Sequence, residues 1–152
     1  MHCYLVRHGE AVAAHVDPER PLSARGRAEV AEVGQLALQR NVIVARIYHS
    51  GIVRARQTAQ ILADYLNPAE GVSYAGGLLP DDDPQWVRAE IEAAAQPTLW
   101  VGHLPFMERL AALLVTGDAS RKTVGFSPAS MLRCSRRVAG WELDWQIAPA
   151  GN

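Results

Sequence analysis

Cysteine is scarce in this chain: there are two, Cys3 and Cys134, far apart in the sequence. They form no CxxC pair, so a thiolate metal site or a thiol redox cycle is not indicated. Both fall in apolar, strand-like stretches and are expected to be buried thiols. Long hydrophobic runs are missing as well. The first apolar stretch, Cys3 to Val6, stops at Arg7, too short for a signal-peptide core or a membrane span, and no later run is long enough. A cytoplasmic location with no membrane contact is the expectation. An excess of one charge is also lacking. A net charge of −1 argues against a dedicated nucleic-acid or anionic-membrane binder. There is no HxxxH or similar ligand spacing, so no metal is expected. Neither GxxxxGK[ST] nor GxGxxG occurs, so no nucleotide and no other cofactor is expected.

What is present is an ordinary globular composition, 49% apolar and 20% charged over 152 residues. A chain of this size removes roughly two-thirds of its unfolded surface from water, so it needs no disulfide or metal staple. Repeats, low-complexity tracts and long linkers are absent, and residues 1–152 read as a single domain.

Hydrophobic spacing and capping signals order the elements. Residues 2–6 read as a buried strand ending in Arg7-His8-Gly9-Glu10. Ser23 is a plausible N-cap for a helix carrying Val30, Val33, Leu36 and Ala37 at helical spacing, slightly weakened by Gly26. Residues 44–48 form a second strand. Ser50 is expected to cap a second helix whose apolar face includes Ala59, Leu62 and Leu66. Residues 72–75 suggest a short strand, and Asp81-Asp82-Asp83-Pro84 opens a third helix. Residues 98–101 are a continuous apolar strand ending at Gly102-His103, followed by a helix over about 105–115. Strands over 131–134 and 141–147, joined by a turn at Ala139-Gly140, close the chain. This alternation predicts an α/β three-layer sandwich: a mainly parallel central sheet flanked by helices.

Two histidines directly follow buried strands, His8 and His103. In open α/β sheets the ligand crevice lies outside the carboxyl ends of the strands, so both should reach one rim. Arg7 shares the first loop. Arg54 falls in the first turn of the second helix, where free backbone N–H groups and the positive end of the helix dipole gather. Two cations, two imidazoles and a helix start make a pocket suited to a phosphoryl group.

These same residues carry a resemblance. Leu5-Val6-Arg7-His8-Gly9-Glu10 resembles the signature of the histidine phosphatase superfamily, which includes the phosphoglycerate mutases. Residues 50–59, with Arg54-Ala55-Arg56-Gln57-Thr58, resemble its second motif, and Val101-Gly102-His103 its third. Arg20-Pro21-Leu22-Ser23 adds a fourth match. The short length, His103-Leu104-Pro105 and the Trp145-Gln146 ending resemble the SixA-type phosphohistidine phosphatases within the superfamily.

The resemblance implies a phosphoglycerate mutase-like fold and a phosphatase in which His8 is transiently phosphorylated while Arg7, Arg54 and His103 hold the phosphoryl oxygens. Gly9 and Glu10 then line the substrate site, with Glu10 bracing the loop or pairing with an arginine. His8 must be neutral at the attacking nitrogen, with its other nitrogen donating to a backbone carbonyl. His103 is expected to serve as an imidazolium. Gly51 stands where relatives often have proline. Many relatives place a general acid before the third helix. Here Asp81, Asp82 and Asp83 are the only carboxylates available there, and a solvated helix-start cluster is the simpler reading. A missing acid suits a phosphohistidine substrate, whose imidazole leaves more readily than an alkoxide.

The implied partner is a phosphohistidine-carrying protein domain of a signalling system. The expected mouth is formed by residues 10–21 and 79–86, Phe126-Ser127 and Arg121-Lys122, with Trp86 and Phe106 either contact residues or core. A small-molecule phosphomonoesterase of the same superfamily and a non-catalytic phosphoprotein-binding module are the alternatives. A mutase fits least.

Overall fold

A computed structural model describes residues 1–150. The elements follow the order β1 (His2–Arg7), α1 (Ala24–Gln39), β2 (Arg46–His49), α2 (Val53–Leu66), β3 (Val72–Tyr74), α3 (Gln85–Ala93), β4 (Thr98–Gly102), α4 (Phe106–Thr116), β5 (Met131–Arg137) and β6 (Gly140–Ile147). They build a six-stranded sheet in the order β3-β2-β4-β1-β5-β6. The first four in that order are parallel, and β5 and β6 add an antiparallel edge.

Strand alternation sends successive side chains to opposite faces. Tyr4 and Val6 of β1 pack with Val30, Val33 and Ala37 of α1 and Ala59 and Leu62 of α2. Cys3 and Leu5 pack on the other face, with Val87 and Ile91 of α3 and Phe106 and Leu110 of α4. Two helices therefore cover each face, giving the α/β three-layer sandwich. Leu5, Leu62 and Leu110 are wholly buried, and truncating any of them would cost about 2–5 kcal/mol. Cys3 and Cys134 are opposed across β1 and β5 as buried free thiols.

Local chemistry explains most boundaries. The Ser23 hydroxyl accepts from the Gly26 N–H at 2.9 Å and caps α1 as expected. Gly26 weakens the helix intrinsically, but a Cβ there would lie 2.0 Å from the Glu10 carbonyl oxygen. The glycine lets the β1–α1 loop lie directly on the helix. β2 starts two residues later than the apolar run, at Arg46. Val44 and Ala45 are buried, but the Ala45 N–H bonds the Pro97 carbonyl at 2.9 Å instead of a sheet partner. Asp83 accepts from the Gln85 N–H at the start of α3.

α2 departs from expectation. Its N-cap is Ile52, with no side-chain cap, so Ser50 does not perform that task. Among the described residues, no helix is long and apolar enough to cross a membrane.

Register fixes the functional edge. Arg7 of β1 stands opposite Gly102 of β4, and His49 of β2 opposite Val101. His8, His103 and Ser50 therefore leave three adjacent strands at the same carboxyl edge.

Candidate active site

His8 is fixed from several directions. Its backbone N–H bonds the Gly102 carbonyl at 3.0 Å. Its Nδ1 lies 2.7 Å from the Gly9 carbonyl oxygen, which can only accept, so Nδ1 carries the proton. Nε2 keeps its lone pair, and Arg54 Nε approaches it at 3.4 Å. The loop itself is tied to α2. The Gly9 N–H donates to Thr58 Oγ1 at 3.0 Å, and that buried hydroxyl donates to the Arg54 carbonyl at 2.8 Å. Gln57 Oε1 accepts from the Leu22 N–H at 2.8 Å. Ala129, at φ 66°, directs its N–H to the carbonyls of both Arg7 and His8, a left-handed non-glycine residue beneath the site.

His103 is almost wholly buried, and its ring centroid stands 4.9 Å from that of His8. Ser50 Oγ lies 2.7 Å from His103 Nε2 and accepts from the Ile52 N–H at 3.3 Å. The serine expected to cap a helix is thus the partner of a site histidine. Gly51, between them, has φ 90°, a conformation closed to proline. Arg7 sends Nη1 to the Phe126 carbonyl at 2.9 Å.

Among the described residues, two buried side-chain polar atoms lack a hydrogen-bond partner: Arg7 Nε and His103 Nδ1. An unsatisfied buried polar group costs about 1–3 kcal/mol. Both orphans fall on residues at this edge.

The electrostatics favour an anion. Burial, followed by Arg54, Arg7 and Arg20, lowers His8 from 6.5 to about 4, against an opposing contribution from the Gly9 carbonyl. Burial, then His8 and Arg54, lowers His103 to about 3. Burial also lowers Arg54, with Arg20 adding to it. Without an anion both imidazoles are neutral, so the expected imidazolium at His103 is not its resting state. Arg20, placed from sequence in a family match and in the expected mouth but given no role, adds positive charge that lowers both His8 and Arg54. It sits at φ 48°, held by a bond from Nε to the Val12 carbonyl at 3.0 Å.

The remaining residues singled out from sequence divide clearly. Glu10 Oε1 accepts from the Ser23 hydroxyl at 2.9 Å, and Oε2 lies 3.8 Å from Arg25. It braces the loop. Asp82 Oδ2 accepts from the Leu79 N–H and Asp83 Oδ1 from the Gln85 N–H, so both serve local turns. Phe106 is core, while Trp86 is 70% exposed. No group of three or more His, Cys, Asp or Glu side chains suited to a metal occurs among the described residues.

Comparison with known proteins supports a phosphatase. The family model of the histidine phosphatase superfamily (branch 1) matches residues 3–75. Phosphohistidine phosphatase SixA of Escherichia coli (strain K12) is 26% identical over 155 aligned positions, covering 98% of this chain and 94% of that protein. The solved structure of the protein histidine phosphatase SixA complexed with tungstate superposes with a TM-score of 0.85 at 26% identity, covering 98% of this chain and 97% of the other. A crystal structure described as a phosphohistidine phosphatase SixA from Agrobacterium tumefaciens gives a TM-score of 0.80 at 24% identity over 98% of each chain, which bears on the fold alone. Over residues 3–75 the chain is similar to the histidine phosphatase superfamily, and over nearly its whole length it is similar to SixA.

Proposed function

We propose that this chain, acting as one domain over residues 1–152 in the cytoplasm, hydrolyses phosphohistidine on another protein through a phosphorylated His8. The observation that carries this reading is the pair of buried orphan donors, Arg7 Nε and His103 Nδ1, on residues that flank a nucleophile of fixed tautomer. His8 Nε2 attacks phosphorus in line, and the P–N bond to the substrate imidazole breaks. Water then attacks phospho-His8, releasing inorganic phosphate and restoring the neutral ring.

Each neighbour has a physical task. Arg7 and Arg54 stabilise charge on the equatorial oxygens. With the Ile52 N–H on one Ser50 lone pair, the Ser50 hydroxyl proton is free for His103 Nε2. Nδ1 then carries the ring proton, and His103 donates a hydrogen bond without being an imidazolium. Arrival of the phosphoryl dianion pulls its pKa upward and strengthens that bond. Gly9 acts through its carbonyl on His8, and Glu10 through the loop it braces.

Substrate choice follows from the acid. Asp82 and Asp83 are engaged in local turns, and Asp81 is exposed to solvent. An alcohol ester would need a proton supplied, an effect worth ~100-fold or more, whereas a protonated imidazole departs without one. Leu79 and Trp86 are exposed in the segment expected to rim the mouth, as suits a phosphoryl group presented by another protein. Turnover of a phosphohistidine protein measured beside a panel of sugar phosphates tests the reading. Faster hydrolysis of the protein substrate is expected; faster hydrolysis of any ordinary ester reverses it in favour of a small-molecule phosphomonoesterase. No turnover of either leaves a phosphoprotein-binding module.

A further inference from the structure

Arg7 reaches the site from the end of β1, yet its guanidinium is oriented from elsewhere. Its Nη1 donates to the Phe126 carbonyl at 2.9 Å, which turns Nε to the position where it has no partner. The Phe126 backbone is also held through the preceding peptide: the Phe126 N–H donates to Glu108 Oε2 at 3.3 Å. Glu108 Oε1 in turn lies 3.5 Å from Lys122 Nζ. A Cβ placed on Gly125 would lie 3.8 Å from Glu108 Oε2, so this carboxylate lies directly against the loop.

We propose that Glu108 is a positioning residue for Arg7, holding the backbone at Phe126 through its N–H so that the Phe126 carbonyl, one peptide further on, sets the guanidinium against the phosphoryl group. The inference rests on the reading of Arg7 as an oxyanion donor. Glu108 sits in the first turn of α4, the helix that begins beyond His103 and is anchored by the Met107 N–H on the His103 carbonyl at 2.9 Å. One helix start thus governs two donors, His103 through the chain and Arg7 through Phe126. A first-turn carboxylate also suits the helix dipole, so its presence alone would mean little. The bond to the Phe126 N–H is what adds a second role. Glu108 also raises the pKa of Arg7 against the larger lowering by burial.

Tungstate, a phosphate-sized oxyanion, separates this inference from the function on which it rests. If the wild-type protein does not bind tungstate, the phosphoryl site itself fails. If it does, Glu108→Ala is expected to weaken binding and lower kcat/KM about tenfold, a fraction of the ~100-fold typical for losing an oxyanion donor outright. Glu108→Gln keeps an acceptor for the Phe126 N–H and should stay within about twofold of wild type. Glu108→Asp, one methylene shorter, keeps the charge and should lose nearly as much as the alanine variant. It carries the test if the alanine variant does not fold. In an Arg7→Ala background the Glu108 substitutions should have no further effect on tungstate affinity. Wild-type affinity in folded Glu108→Ala or Glu108→Asp would overturn the proposal. An equal loss in Glu108→Gln, or a loss that persists without Arg7, would overturn it as well.

Discussion

The two ends of the sheet hold the same kinds of side chain in opposite states. At the end where β1 begins, His2 Nδ1 meets Ser135 Oγ at 2.7 Å, and Ser135 donates to Asp144. Arg133 and Arg137 also bond Asp144, at 2.9 and 3.1 Å. Burial pushes the Asp144 carboxyl up, but the bonds from Ser135 and Arg133 hold it below its ordinary range. At the end where β1 finishes, His8, His103, Arg7, Arg54 and Arg20 gather, two donors are left open, and the charges work against one another. Histidine and arginine therefore do not mark a site by themselves. The closed network is structural because its groups answer one another, whereas at the other end Arg7 Nε and His103 Nδ1 have no partner.

Substitutions at the two ends should separate activity from stability. His8→Ala is expected to abolish turnover while the thermal transition is retained, and Arg54→Ala to lower kcat/KM about 100-fold. Measurable turnover by His8→Ala at the wild-type rate would remove the distinction.

Titration sharpens the contrast. A histidine whose folded pKa is depressed stays neutral as pH falls from 6.5, so His8 should gain its proton only near pH 4. Over that window the unfolded chain binds the extra proton, and stability declines as pH drops. Ring resonances followed by NMR in the anion-free protein should show this, and Arg54→Gln should move the His8 midpoint upward. A midpoint near 6.5 in wild type would mean that neither burial nor the cations act on the ring.

A smaller effect is expected at Ser50. Ser50→Ala removes the hydroxyl from His103 Nε2 and frees the other tautomer, so kcat/KM should fall about tenfold, less than for loss of a whole donor. Smallest of all in activity is Asp144→Asn. It should cost about 1–3 kcal/mol in unfolding free energy through weakened bonds to Arg133 and Ser135, with kcat unchanged within about twofold. A large kcat loss there would show that the ends are coupled.

Much of the rim was legible because a residue just past a buried strand has a predictable place in an α/β sheet. Arg7, His8 and His103 follow from that rule, and Arg54 from its place in the first turn of a helix. Ser50 was misread because a serine shortly before a helix looks the same whether it caps the helix or binds a histidine at the end of the neighbouring strand. Arg20 was placed in the mouth but given no role, because its left-handed backbone and the fold-back of its loop depend on tertiary contacts. Gly26 reads as a weak helix residue until the Glu10 carbonyl is seen against it. The cross-strand pairing of Cys3 with Cys134 depends on the register of β5, which alternation does not encode.

The most direct measurement mixes the protein rapidly with a phosphohistidine substrate, quenches it in alkali and maps the bound phosphate by mass spectrometry. Phosphate on the ring of His8, formed and lost within one turnover, is the result expected here. Phosphate on another residue, or product released with no phosphorylated enzyme at any time, would contradict a histidine relay at this edge of the sheet.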